Sequence, residues 1–151
     1  MTHNSRTAIG SRASAEAHSF GRLLLRADLA LRQTTTRCTW DALQVTARQA
    51  RVLYLVAQPE LVCSAEISRQ CGVDPKAITC MVDRLVRDGF LQRRRDTTDR
   101  RVVELVPTAR GHAVAAGAPA AFCEAHERLF AGFGTDDMAR LATLLQRILE
   151  R

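Results

Sequence analysis

Ile67-Ser68-Arg69-Gln70-Cys71-Gly72-Val73-Asp74-Pro75-Lys76-Ala77-Ile78-Thr79-Cys80-Met81-Val82-Asp83-Arg84-Leu85-Val86-Arg87-Asp88-Gly89 is the stretch that decides the fold. Asp74 followed by Pro75 is a helix start. A side-chain oxygen can take an orphan backbone N–H, and proline at the first helical position loses no hydrogen bond there. From that start Ile78, Met81, Val82, Leu85 and Val86 fall on one side, and Gly89 stops the helix. Upstream, Ser64 to Cys71 reads as a short helix with Ala65, Ile67 and Ser68 on or near its inner face. Gly72, free to take a positive φ, closes it.

Two helices of this length joined by Gly72-Val73-Asp74 make a helix-turn-helix arrangement. Directly after it come two β-prone runs, Phe90 to Arg94 and Val102 to Val106. Between them lies the polar stretch Arg95-Asp96-Thr97-Thr98-Asp99-Arg100-Arg101, which predicts a hairpin with a charged tip, a wing. Before the pair, Thr46 caps a helix carrying Val52, Leu53, Leu55 and Val56, which ends at the Pro59 loop.

Outward from this centre, Phe20, Leu23, Leu24, Ala27 and Leu31 recur at helical spacing and predict a long first helix from about Ala15 to Arg37. Thr108 caps another helix that runs through an alanine-rich region to about Phe130, with Gly117 and Pro119 as kink points. Thr135, Asp136 and Asp137 open a last helix, striped by Met138, Leu141, Leu144, Leu145, Ile148 and Leu149. These terminal stripes are richer than the small middle section can cover. They predict an isologous homodimer, with an intramolecular bundle as the alternative. The expected fold is mainly α with a small β-hairpin wing (α+β): a disordered tail over 1–14, an N-terminal dimerisation helix over 15–44, a winged helix-turn-helix over 45–107 and C-terminal dimerisation helices over 108–151.

The 151 residues carry a net charge of +6, and of the 22 basic residues all but Lys76 are arginine, which suits planar recognition of phosphate or carboxylate. Five arginines against two aspartates between Arg93 and Arg101 concentrate half of that surplus in the wing. No apolar run approaches the roughly 20 residues that span a bilayer, and the N-terminal stretch lacks the apolar core of a secretory signal. A cytoplasmic protein with no membrane partner is expected. The five cysteines, Cys38, Cys63, Cys71, Cys80 and Cys123, are odd in number and form no C-x-x-C pair, against a disulfide framework and a structural zinc site. An enzyme is not expected: there is no Ser/His/Asp arrangement, glycine-rich phosphate loop or H-E-x-x-H motif, and no cofactor is implied.

The run Glu66 to Leu91, continued through Asp99-Arg100-Arg101 to Pro107-Thr108-Ala109-Arg110-Gly111, resembles the MarR family of bacterial winged-helix regulators. The specific marks are Val82-Asp83-Arg84-Leu85, the Asp-x-Arg of Asp99 and Arg101, and Thr108 with Gly111. Departures from the family pattern are Pro107 where an aliphatic residue is common, Arg95 where the wing often has proline, and Cys80 where a polar or basic side chain is usual. Cys63 stands where Ser or Thr usually caps the first helix of the pair.

The resemblance implies a homodimeric repressor of a pseudo-palindromic operator on double-stranded DNA, released by a small aromatic or phenolic acid. The second helix of the pair would enter the major groove with Pro75, Lys76, Ala77, Thr79, Cys80 and Arg84, and Ser64 would join them from the first. Asp83, an acid, would orient an arginine, either Arg84 or one from the wing. Arg101, held by Asp99, would occupy the minor groove, while Arg93, Arg94, Arg95 and Arg100 contact phosphate. Candidates for an acid effector are His18, Arg22, Trp40, Arg51 and Tyr54, because an aromatic acid wants a guanidinium beside flat apolar side chains; in the plainer reading Trp40 and Tyr54 are core and the arginines surface.

An alternative control is cysteine oxidation at Cys63, beside a helix N-terminus, or at Cys80 on the reading face. The predicted first helix has no cysteine, whereas peroxide-sensing members of the family carry their thiol there. Further alternatives are an enzyme, or a metal sensor built on His112, Cys123, Glu124 and His126.

Overall fold

The computed structural model describes residues 5–58, 64–95 and 103–151. Its elements follow in the order α1 (Ser5–Leu43), α2 (Ala47–Val56), α3 (Ser64–Cys71), α4 (Pro75–Arg87), β1 (Leu91–Arg95), β2 (Val103–Pro107), α5 (Ala109–Leu129) and α6 (Thr135–Leu149).

Local capping sets most of these borders. Thr46 and Gln49 form a reciprocal box: the Thr46 hydroxyl accepts from the Gln49 N–H at 3.3 Å, and the Gln49 side chain accepts from the Thr46 N–H at 2.9 Å. Between α3 and α4, Gly72 adopts φ 59°, a left-handed conformation that favours glycine. This turns the chain so that the Gly72 N–H reaches the Arg69 carbonyl at 3.2 Å and the Val73 N–H reaches that of Ser68 at 3.0 Å. The buried Ser68 hydroxyl donates to the Val73 carbonyl, so the turn leaves it satisfied. Asp74 then accepts from the Lys76 N–H at 2.8 Å and starts α4.

Isolated helices shorter than about 12–15 residues are marginal in water, so α4, with 13, depends on what it buries. Ile78, Val82 and Leu85 enter one core with Val52, Leu53 and Leu55 of α2, Ile67 of α3, Phe90, Leu91 of β1, and Val114 and Ala118 of α5. Burial of each large apolar side chain contributes roughly 1.5–3 kcal/mol. The hairpin pairs β1 antiparallel with β2, Leu91 opposite Pro107 and Arg94 opposite Glu104. Pro107 stands at the end of the ladder, where its missing N–H removes no interior bond.

α5 leaves the hairpin under tight control. The Thr108 N–H donates to the Phe90 carbonyl at 3.0 Å, and its hydroxyl donates to the Gly89 carbonyl at 2.8 Å while accepting from the Gly111 N–H at 3.2 Å. Arg110 lies over the Phe90 ring, 4.1 Å from its centroid. Further along, α5 packs beside α1 and buries Ala115, Ala118, Ala121 and Ala125. Small side chains at a helix contact permit a short interaxial distance. By contrast α6 buries none of its residues within the chain, and Leu144, Leu145, Ile148 and Leu149 stay exposed, as do Phe20, Leu23, Leu25 and Leu29 of α1.

The fold class is as the sequence predicts, with several local corrections. α1 begins at Ser5, so most of the expected tail continues the helix; the segment contains no proline, and its single Gly10 costs about 1 kcal/mol in a helix that long. The helix also extends to Leu43 and therefore contains Cys38, which is buried; the expectation of a cysteine-free first helix does not hold. Ala65 is exposed, leaving Ile67 and Ser68 as the inner face of α3. Both strands sit one residue later than expected, because Phe90 turns into the core before pairing begins. The cap of α6 is Gly134 rather than Thr135: the Asp137 carboxylate accepts from the Gly134 N–H at 3.2 Å. α5 runs unbroken through Pro119.

Candidate nucleic-acid interface

α4 turns its inner stripe into the core, and the opposite side remains open. Pro75, Lys76, Ala77, Thr79, Cys80, Asp83 and Arg84 are all exposed. Thr79 also donates to the Pro75 carbonyl at 3.0 Å, a bond its hydroxyl can keep while accepting another. Lys76 and Arg84 thus bracket a positive face about two helical turns long.

Charge adds a link between the hairpin and this face. Arg93 of β1 donates to Asp83 of α4, which makes Arg93 the wing arginine that Asp83 orients. Arg94 pairs across the hairpin with Glu104 at 2.8 Å, the residue directly opposite it in the register. Both guanidinia, expected as phosphate contacts, are already engaged by carboxylates. Asp99, Arg100 and Arg101 lie outside the described residues, as does Cys63; Ser64 opens α3 and Arg95 ends β1, and nothing further is described of their side chains.

Beside the positive face lies a cleft of about 290 Å³ between the start of α2 and α4, lined by Thr46, Arg48, Gln49, Ala77, Cys80, Met81 and Arg84. A second cavity, about 620 Å³, opens between α1, α2 and the helix-turn-helix. Its walls include Thr35, Thr36, Arg48, Arg51, Cys71 and Met81, with Asp28 and Arg32 at the α1 side. At that side Arg32 donates to Asp28, and this hydrogen bond holds the Asp28 carboxyl below its usual range and raises Arg32. Burial pushes the Cys71 thiol up, opposed more weakly by the charges of Arg51 and Arg48.

The structure does not assemble the five effector candidates into one place. Arg51 lines the second cavity; Trp40, half exposed, lines a shallow apolar depression on α1 with Arg32, Thr36 and Arg37. Tyr54 packs partly buried against the core, Arg22 is exposed on α1, and His18 is placed only as part of that helix. Sequence reasoning missed Arg48, Cys71 and Met81 as cavity walls. The spacing of Arg48 and Arg51, three apart on one helix face, was a usable signal. Among the described residues no group of three metal-ligating side chains forms; Glu124 is paired with Arg128, and His126 stacks on Phe130. No helix among them is long and apolar enough to cross a membrane.

A helix pair held by a tight turn, followed by a two-stranded wing anchored on the second helix, defines a winged helix-turn-helix protein. Comparison with known proteins carries this further. The MarR family matches residues 45–103. The multiple antibiotic resistance protein MarR of Escherichia coli (strain K12) is 30% identical over 116 residues, covering 71% of this chain and 75% of that protein. A mutant MarR from Escherichia coli complexed with operator DNA superposes with a TM-score of 0.75 at 27% identity, over 89% of this chain and 96% of the other. A MarR family protein of Mycobacterium tuberculosis in complex with salicylic acid gives 0.65 at 26% identity, over 85% and 94%. The chain belongs to the MarR family of winged-helix transcription regulators.

Proposed function

We propose that this protein is a homodimeric repressor that binds a pseudo-palindromic operator and releases it when a small aromatic or phenolic acid binds. The observation that carries the reading is the open, cationic side of α4 beside a hairpin linked to it by the Asp83–Arg93 pair. In this reading Pro75, Lys76, Ala77, Thr79, Cys80 and Arg84 face the major groove, with Ser64 at its edge. Lys76 and Arg84 reach guanine edges or phosphates, and Thr79 hydrogen-bonds either. Arg101, held by Asp99, enters the minor groove, and Arg93, Arg94, Arg95 and Arg100 add phosphate contacts, Arg93 and Arg94 through the N–H groups that their carboxylate partners leave free. The similar Escherichia coli chain bound to operator DNA supports the assignment.

The dimer rests on exposed surface. Phe20, Leu23, Leu25 and Leu29 of α1 and Leu144, Leu145, Ile148 and Leu149 of α6 stay exposed within one chain, apolar faces that a second copy would cover. Two-fold symmetry then sets half-sites about one helical turn apart. The effector fits best in the second cavity, whose volume suits a small ligand and whose Arg48 and Arg51 suit a carboxylate. The relative complexed with salicylic acid supports that class. A bound acid acts through its preference for the DNA-incompetent state.

Selection of a binding site from random duplexes, followed by mobility shift, tests the reading. Arg101→Ala is expected to nearly abolish binding to the selected site, and Cys80→Ser to change base preference more than total affinity. Full affinity in the first would remove Arg101 from its role; failure of the wild type to select any site would end the operator reading. A second reading, release by oxidation, is favoured by one observation: Cys80 is exposed on α4 and lines the cleft beside Arg84. Peroxide-driven release reversed by reductant, lost in Cys80→Ser, would support it.

A further inference from the structure

Arg48 belongs neither to the helix-turn-helix pair nor to the wing, yet it lines both concavities around α4. It borders the small cleft, opposite Arg84, and it also borders the larger cavity, beside Arg51 and Cys71. Met81 and Thr46 are likewise shared, so only a thin wall separates the two spaces. Among the described residues neither Arg48 nor Arg84 has a carboxylate partner, in contrast to Arg93 and Arg94. Thr46 and Gln49 cap each other at the start of α2 and contribute no open hydrogen-bond group of comparable strength. The recognition element of the cleft is therefore its two guanidinia, each able to take a phosphate oxygen pair through parallel N–H bonds.

We propose that Arg48 closes on a DNA backbone phosphate together with Arg84, and that a carboxylate in the larger cavity competes with that phosphate for the same guanidinium. This rests on the DNA-binding reading above and adds a residue and a route of regulation to it. One cation cannot form a bidentate pair on both sides of the wall at once. Acid binding and DNA binding then oppose each other through Arg48 even without a large movement of the subunits, and by linkage each weakens the other by the same factor.

A fluorescein-labelled random-sequence duplex, titrated by anisotropy over a range of salt, tests the phosphate contact without knowledge of the operator. Arg48→Gln is expected to bind roughly tenfold more weakly at moderate salt and to lower the slope of log affinity against log salt by about one. Arg48→Lys, which keeps the charge, should retain the slope. A wild-type slope in Arg48→Gln overturns the proposal while leaving the DNA-binding reading intact; a wild type that binds no duplex at low salt overturns both.

For the competition, benzoate is the probe, added at constant ionic strength. It is expected to weaken wild-type binding to the duplex and to leave Arg48→Gln unaffected. An equal loss in both proteins, or none in the wild type, removes Arg48 from the regulatory route.

Discussion

The carbonyl oxygen of Phe90 lies 2.1 Å from the point where a Cβ would stand on Gly111, and Cβ of Pro107 lies 3.2 Å from that point. Phe90 cannot retreat, because its N–H donates to the Leu85 carbonyl at 2.9 Å while its own carbonyl accepts from Thr108. The close approach ties the end of α4, the hairpin and the start of α5 into one unit. Thr108 and Gly111 act together there: the first supplies the bonds, the second the space.

Gly111→Ala is therefore expected to lose about 1–3 kcal/mol of stability, the usual cost of overfilling a packed site. In a chain of this length that lowers the midpoint of thermal unfolding by roughly 3–12 °C. A calorimetric scan showing no decrease would mean that the α5 start moves away freely.

Thr108→Val keeps the shape and removes the hydroxyl bonds to Gly89 and Gly111. A loss of about 0.5–2 kcal/mol is expected, in line with other helix caps. Urea unfolding reads it directly, and an unchanged midpoint would make the cap dispensable.

The Asp83–Arg93 pair is half exposed on both sides, so its worth to stability is small, at most about 1 kcal/mol. Its consequence lies in where the Arg93 guanidinium points. Asp83→Asn should melt within a few degrees of wild type yet discriminate less between the selected site and random DNA, since the Arg93 guanidinium is no longer oriented from α4. Unaltered discrimination would show that the pair does not position Arg93 for DNA.

At the larger cavity, burial raises the Cys71 thiol above its ordinary range. A raised thiol means that the folded state holds its proton more tightly than the unfolded state. The resulting stability is complete below the ordinary cysteine range and is lost as pH rises through the folded value. A short iodoacetamide pulse near neutral pH should label exposed Cys80 and Cys123 before Cys71, and mass mapping with Cys71 first would contradict it.

Leu25 and Leu149 are 70% and 84% exposed, so changing them costs an isolated chain almost nothing. If a second copy covers them, Leu25→Asp with Leu149→Asp places charges in an apolar interface and yields a monomer. Sedimentation should show the wild type at twice the monomer mass and the variant at one; a wild type already monomeric would rule out the dimer.

The elements legible in the sequence are those written by a few adjacent residues. Asp74-Pro75, Gly72, the Thr46–Gln49 box and Thr108 act through backbone groups one to five positions away, so helix borders and the winged helix-turn-helix could be read directly. The first helix outruns its sequence signals for the same reason: its early part carries no apolar stripe. Trp40, Tyr54 and Arg51 suggest one aromatic, cationic pocket only because their residue types match a ligand's needs; the fold sets them apart.

What the sequence by itself determined is thus the order of elements, the family and the exposed side of α4, because periodicity and capping are local physical effects. Tertiary structure alone decided which charges meet. It took the packing of β1 beside α4 to choose Arg93 over Arg84 for Asp83, and the crossing of α2 past α4 to set Arg48 between two cavities. Those pairings depend on distances between helices that no spacing along the chain encodes.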